Sequence, residues 1–432
     1  MAIHNTIVSL EEILKKKGIG PEGSKSLNKE ELDFVDVHYQ NSKVSLTTKA
    51  TLLTALLLLE PNEFESHWLT KVKKNPNQFL PHELLPFLQI SDSNDLQNSI
   101  LKLIRKEELD EGECLLCMTA LFNFEIPEYL KGAFLEGERL KRETFSENKF
   151  FFNYLWNKVN RVEIDTPFLI DICESYDGCL RSPNYCVFIA ALLGSAGFPT
   201  IVHSVDHVAP KEGVTSHQII SAAGKLPFNT SIKVAEELMN NSIAWGYLDQ
   251  SVYFPELYKL KQLRKEMVKR PFLATFEKLL QPIRAVQGNY IYTGYTHRHY
   301  RTELVKQLIA QNKICKALIL KGAEGSTHLS LTKSTTGVNY NGNETIEVLH
   351  SPVNYGLPEP NFNQGYSTPS EIVRLGVQAL NGERNEAYFN ILYTALVIID
   401  SFNLMDKEKA LNLLTNNIMS GKALKFWNSG SL

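Results

Sequence analysis

The stretch that decides the fold is Asp171–Ser216, DICESYDGCLRSPNYCVFIAALLGSAGFPTIVHSVDHVAPKEGVTS. The apolar segment Phe168-Leu169-Ile170 just before it suits a buried strand. A polar loop follows, Glu174 to Arg181, with Gly178 as its flexible point. Ser182-Pro183 reads as a helix start, an N-cap hydroxyl followed by proline where a missing N–H costs nothing. Asn184–Ala196 is almost wholly apolar and is expected to form a buried helix that Gly197 ends. Pro199 then precedes a second strand, Thr200-Ile201-Val202. The unit is strand–loop–helix–strand, and its loop lies at a helix N-terminus, where free N–H groups favour an anion. A second loop, Ala209 to Ser216, adds Lys211, Gly213, Thr215 and Ser216.

Working outward, the 432 residues allow two or three domains. A hydrophobic content of 43% and a charged content of 22% are ordinary for a globular chain. A net charge of −3 gives no overall pull towards nucleic acid or membrane. The longest apolar run, Ala50–Leu59, is too short to span a bilayer. No basic-then-apolar leader opens the sequence, so a cytoplasmic location is expected, an organelle stroma being the other. The six cysteines form no disulfide framework. Cys114-Leu-Leu-Cys117 lacks a second ligand pair and reads as helix packing rather than zinc.

Residues 1–96 read as a helical extension and 97–165 as a helical domain; the rest, 166–432, reads as an α/β domain. Residues 229–285 are expected to add helices to the helical part, and Ser231–Trp245 is read as one helix. The fold class is therefore an N-terminal all-helical domain plus an α/β domain with a mainly parallel sheet flanked by helices. Blocks 27–78 and 97–160 read as a repeat: Leu27 and Leu109, Val44 and Ile126, Lys49 and Lys131, and Leu53 and Leu135 all stand 82 apart. Between 256 and 301 ten cations face three carboxylates, a local charge of +7. That run includes Arg264, Arg270, Lys278 and Arg284, and with Tyr290, Tyr292 and Tyr295 it could attract phosphates or a single strand. His297-Arg298-His299 shows no third metal ligand, and Tyr300 beside it suits positioning.

These residues carry a resemblance to the anthranilate phosphoribosyltransferase family. Its Gly-Thr-Gly-Gly-Asp-Gly loop would fall on Glu174–Gly178, where Asp177-Gly178 survives. Its Asn-Ile-Ser-Thr asparagine matches Asn184, its next glycine Gly197 and its Lys-His-Gly histidine His203. Lys211 and Gly213 match a later loop, Arg270 an arginine of the acceptor site, and Ser420-Gly421-Lys422-Ala423 the family's close. Ser175-Tyr176-Asp177-Gly178 is closer to a paralogous branch, some of whose members are considered nucleic-acid binders. The resemblance covers about residues 97–428.

The resemblance implies a homodimer, a magnesium-assisted phosphoribosyl transfer from phosphoribosyl pyrophosphate, and a ligand site. The expected phosphate and ligand contacts are Asp177, Gly178, Arg181, Asn184, His203, Lys211, Gly213, Thr215, Arg270, Lys278, Lys321, Glu324 and Gly325. Several parts of the family's machinery are replaced. Glu174 and Tyr176 stand where glycines would approach a diphosphate, and Cys186 and Val187 where hydroxyls would. Thr327-His328 stands where two carboxylates would hold magnesium, so Mg2+ lacks its usual pair. The chain is therefore expected to bind a phosphorylated ligand, such as one like phosphoribosyl pyrophosphate, without making phosphoribosylanthranilate. The alternative is a non-catalytic homodimer that binds single-stranded nucleic acid.

Overall fold

The computed structural model describes residues 9–20, 22–89, 93–296, 301–302, 304–305, 314–357 and 368–430. His297, Arg298, His299 and Tyr300 lie outside them. The chain divides into two compact units. The first comprises Met1–Tyr154 and Lys259–Leu273, the second Leu155–Tyr258 and Ala274–Leu432. Of the stretch 229–285, only 259–273 belongs to the first unit.

The first unit is helical. Its helices are α1 Leu10–Lys17, α2 Lys29–Tyr39, α3 Leu46–Leu58, α4 Glu63–Lys74, α5 Asp95–Ile104, α6 Glu111–Phe122, α7 Glu128–Lys141 and the start of α8 Phe145–Lys158. Helix α12, Lys261–Met267, also belongs to it. Asparagine and aspartate start these helices by reciprocal capping: Asn28 with Glu31, Asn62 with Glu65, Asn94 with Gln97, and Asp110 with Glu113. Helix α3 is buried along nearly its whole length, its threonines and Lys49 included. Its threonines turn inward, Thr51 donating to the Thr47 carbonyl at 2.8 Å and Thr54 to that of Ala50 at 2.9 Å. Cys114 and Cys117 are buried on α6, and burial pushes the Cys114 thiol up to about 12.

The second unit is a seven-stranded sheet in the order β4-β3-β2-β6-β7-β8-β9. These strands are β2 Leu169–Cys173, β3 Thr200–Ser204, β4 Trp245–Asp249, β6 Asn289–Gly294, β7 Lys316–Leu320, β8 Thr335–Tyr340 and β9 Thr345–His350. Pairing is parallel from β4 to β7 and antiparallel from β7 to β9. A separate parallel pair joins β1, Val162–Ile164, to β5, Ile283–Ala285. Helices α9 Cys186–Ser195, α10 Ser216–Ala222, α11 Ser231–Met239, α13 Pro369–Leu380, α14 Glu386–Ser401, α15 Lys407–Met419 and α16 Lys422–Ser429 complete it. The core packs α9 and α14 with the sheet, and Trp427 of α16 stacks on Trp245 of β4 at 5.4 Å.

Two expectations are corrected. The central helix begins at Cys186 rather than after Ser182-Pro183, because the Asn184 side chain accepts the Cys186 N–H at 3.1 Å and sets the start there. The helix from Ser231 stops at Met239, where Asn240-Asn241-Ser242 turns the chain, and Trp245 opens strand β4 instead.

Candidate functional site

The loops that follow β2 and β3, at one end of the parallel strands, are zipped together through their backbones. Gly213 donates to the Asp177 carbonyl at 2.9 Å, Cys179 to that of Val214 at 3.0 Å, and Val214 back to Cys179 at 2.8 Å. This contact is what the two glycines serve. Gly178 has φ +72, and a Cβ on it would lie 2.3 Å from the Gly213 carbonyl oxygen. A Cβ on Gly213 would meet Cys179 backbone at 2.7 Å. Thr215 caps α10 reciprocally with Gln218 and donates its hydroxyl to the Asp206 carbonyl at 3.1 Å. Gly178, Gly213 and Thr215 therefore hold the loops in place.

Two of the chain's own carboxylates occupy the donor groups of these loops. Glu174 is buried and accepts from the Asn184 side chain at 2.7 Å, the Ser216 N–H at 3.0 Å and the Ser216 hydroxyl at 2.7 Å. Ser216 is the first residue of α10, so that helix end meets a negative charge. Glu324 accepts from the Leu180 N–H at 3.0 Å and the Arg181 N–H at 2.5 Å. Lys211 Nζ lies 3.6 Å from Glu324 and 3.7 Å from Asp177. Burial would raise the Glu324 carboxyl, but the Arg181 N–H, the Lys211 ammonium and the Leu180 N–H together hold it below the usual range. Glu324 itself sits at φ +58, a left-handed conformation costly for a residue with a Cβ. Beside Asn184, the space lined by Glu174, Cys186, Ser326, Thr327 and Asn390 is about 10 Å³, roughly one water.

Beneath the loops runs a buried polar chain. His203 of β3 lies 3.0 Å from Asp171 of β2 through Nε2, while Nδ1 meets the Tyr176 hydroxyl. That hydroxyl also meets Tyr253. Asp171, Tyr176 and His203 are all buried, so His203 braces the sheet end and the 174–178 loop.

The expected site residues thus separate into groups. Asp177, Gly178, Asn184, Lys211, Gly213, Thr215 and Glu324 come together, and Arg181 follows on the same loop with an exposed side chain. Gly325 lines the neighbouring turn, its carbonyl accepting from Ser175 at 3.2 Å. Lys321 is exposed beyond β7. Lys278 is buried and donates to the Gly294 carbonyl at 2.5 Å. Arg270 belongs to the first unit. Sequence reasoning missed Ser216 as a donor to Glu174, and Asp171 and Tyr253 as partners of the His203–Tyr176 pair. Asp171 carried a local signal: a carboxylate in an apolar strand needs a buried partner.

Among the described residues, several cations of the basic run are buried or engaged. Arg264 and Lys278 are buried. Lys259 lies over the Phe124 ring at 5.1 Å and Arg284 over Trp156 at 5.5 Å. Arg301 pairs with Glu347 at 2.7 Å.

A magnesium ion wants several oxygen ligands. At the family's metal position, Thr327 places its hydroxyl 3.1 Å from the Cys186 sulfur, and Glu324 is held by Leu180 and Arg181. Among the described residues, Asp171, Cys173 and His203 form a group close enough to share an ion. It offers one thiol, which burial pushes well above its usual range, and a histidine whose Nδ1 already meets the Tyr176 hydroxyl. These residues do not fit magnesium.

No family model matches the chain. It is 23% identical over 333 residues to the anthranilate phosphoribosyltransferase of Caldicellulosiruptor saccharolyticus, covering 76% of this chain and 96% of that protein. The anthranilate phosphoribosyltransferase of Saccharomyces cerevisiae, solved in complex with PRPP and Mg, superposes with a TM-score of 0.62 at 18% identity, covering 77% of this chain and 96% of that one. The chain is thus similar to anthranilate phosphoribosyltransferases in sequence and in fold. The transferase from Thermus thermophilus gives a TM-score of 0.61 at 18% identity, over 76% of this chain and 97% of that one. An uncharacterized protein of Aquifex aeolicus is 26% identical over 312 residues, 70% of this chain and 92% of that protein. The chain therefore shares the fold of these transferases, including a helical region and a mainly parallel sheet. No described helix is long and apolar enough to cross a membrane.

Proposed function

We propose that this chain keeps the phosphoribosyltransferase fold with its donor site closed by its own carboxylates. It does not make phosphoribosylanthranilate, and it takes a phosphorylated ligand at the Lys211–Arg181 mouth in exchange for Glu324. The observation that carries this reading is the pair Glu174 and Glu324. Together the two carboxylates satisfy the N–H, amide and hydroxyl donors that would otherwise face a phosphate. Glu174 is buried and tied by three donors, so it is the permanent plug. Glu324 is tied by two N–H groups and a longer ion pair, on a turn with left-handed backbone, so it is the exchangeable one.

The replaced metal position supports the same reading. A diphosphate leaving group without a counterion keeps its charge uncompensated in the transition state. The dispersal of the basic run into buried contacts, ring contacts and an ion pair makes nucleic-acid binding the weaker reading. Six free cysteines suit a reducing cytoplasm.

The deciding experiment is a thermal melt with phosphoribosyl pyrophosphate, with and without magnesium, beside an assay for phosphoribosylanthranilate. The expected result is a magnesium-independent rise of a few degrees and no product. A ligand at about a hundred times its Kd adds roughly 2.7 kcal/mol. Product formation, or a rise only with magnesium, would overturn the proposal. Salt-sensitive binding to a single-stranded oligonucleotide with no phosphosugar effect would favour the nucleic-acid reading.

A further inference from the structure

The first unit contains the same helical module twice. Helices α2, α3 and α4 begin 82 residues before α6, α7 and α8. The ties between helices recur at the same spacing. Glu65 accepts the Leu27 N–H at 2.9 Å and the Asn62 N–H at 3.0 Å. Glu147 accepts the Leu109 N–H at 2.8 Å and the Thr144 N–H at 2.7 Å. In each copy one buried carboxylate caps its own helix and fastens the chain entering the helix two before it. Such a long-range tie is not produced by a generic leucine-rich pattern.

The counterions differ. Lys17 of α1 neutralises Glu65 at 2.8 Å, and Lys141 at the end of α7 neutralises Glu147 at 2.6 Å. Ser99 stands 82 residues after Lys17, and Leu59 stands 82 before Lys141. Two copies that share a buried acid but neutralise it from different positions are what duplication followed by divergence leaves.

The equivalent helices α3 and α7 pack on each other. A Cβ at Gly132 of α7 would lie 2.8 Å from the Thr47 methyl and 3.0 Å from the Thr51 hydroxyl of α3, so the crossing is close enough to need glycine. An element that meets its own counterpart makes the kind of contact found across a two-fold axis. Here one chain supplies both sides. Helix α3 is buried from Thr47 to Leu56 and α7 from Leu130 to Glu138, which leaves neither a free face for another molecule.

We propose that the N-terminal copy, within residues 1–96, occupies the place of a partner's helical module, and that the chain is a monomer. This reading stands in place of the homodimer implied by the family resemblance, and it gives the extension a role: covering α7. Sedimentation velocity of the full chain tests it directly, with a single species at 49.0 kDa expected. A concentration-independent dimer would overturn it. The double variant Thr47→Cys with Gly132→Cys tests the contact itself. Oxidation should give a crosslink within one chain that runs at monomer mass on a non-reducing gel, against the wild-type cysteines as control. A crosslinked dimer of that variant would place α3 of one molecule on α7 of another and would also overturn the proposal. The unmodified chain's mass decides the matter if the variant does not fold.

Discussion

Glu174 accepts a hydrogen bond from the Asn184 side chain at 2.7 Å, and both residues are buried. That bond sets a carboxylate against the group that aligns with the family's asparagine, at the end of the central parallel strands. The site's electrostatics follow from it. Donors disposed around an anion are already satisfied, and an incoming phosphate must compete with a covalently attached rival.

Replacing Glu174 with alanine should therefore destabilise the second unit while exposing its donors. Three groups on Asn184 and Ser216 lose their acceptor. A buried donor left unmade costs about 1–3 kcal/mol, so a loss of about 2–4 kcal/mol is expected. Hydrogen exchange should show faster opening of β2 and α10, and inorganic phosphate should recover part of the protection. Unchanged exchange would mean that the carboxylate holds nothing.

Glu324→Gln should strengthen phosphate binding several-fold, and Lys211→Met should abolish it in either background. The gain should also appear in the wild type on acidification. Glu324 is held below the usual carboxylate range, so its tie to Arg181 and Leu180 is present above that range and lost as pH falls through its lowered value. Calorimetric titration with phosphate from pH 7 to below the ordinary glutamate value of about 4.3 checks the direction.

Gly178→Ala tests the loop zipper. The alanine must adopt φ +72 and push against the Gly213 carbonyl at 2.3 Å. Left-handed backbone alone costs about 1–2 kcal/mol, and the collision adds to it. The expected outcome is a lower melting midpoint together with weaker phosphate binding, because Lys211 rides on the displaced loop.

In the helical unit the two repeated glutamates should differ. Glu65→Ala strands Lys17, which is buried and pairs with Glu65 alone among the described residues. Breaking a buried pair in this way costs about 3–5 kcal/mol. Glu147→Ala leaves Lys141 still 3.3 Å from Glu138, and should cost less. Chemical denaturation of the two variants side by side gives the order.

The same unit should lose stability as pH rises. Burial pushes Glu136 and Glu143 up to about 7 and raises Glu138 well above its usual range. Groups whose folded pKa is raised bind more protons in the folded state, so stability falls between the ordinary value of about 4.3 and about 7. Glu136→Gln should flatten part of that slope. A stability that increases across this range would contradict the assignment.

The sequence by itself determined the features that depend on neighbours in the chain. The apolar segment at 168–170, the buried helix closed by Gly197 and the strand from Thr200 follow from periodicity and end signals, and they fold as expected with small shifts. The 82-residue spacing was likewise visible, because residues of like type such as Lys49 and Lys131 or Leu53 and Leu135 recur at it. Tertiary structure alone decided what fills the site. Glu174 stands where a glycine would approach a diphosphate, yet its carboxylate is met by Asn184 and by Ser216, 42 positions away. Glu324 finds its donors 143 and 144 positions away. His203 was read as a ligand contact, and the fold turns it inward to Asp171 and Tyr176. A carboxylate's role depends on which donors surround it, and those donors come from loops that meet only after Gly178 and Gly213 let two backbones touch.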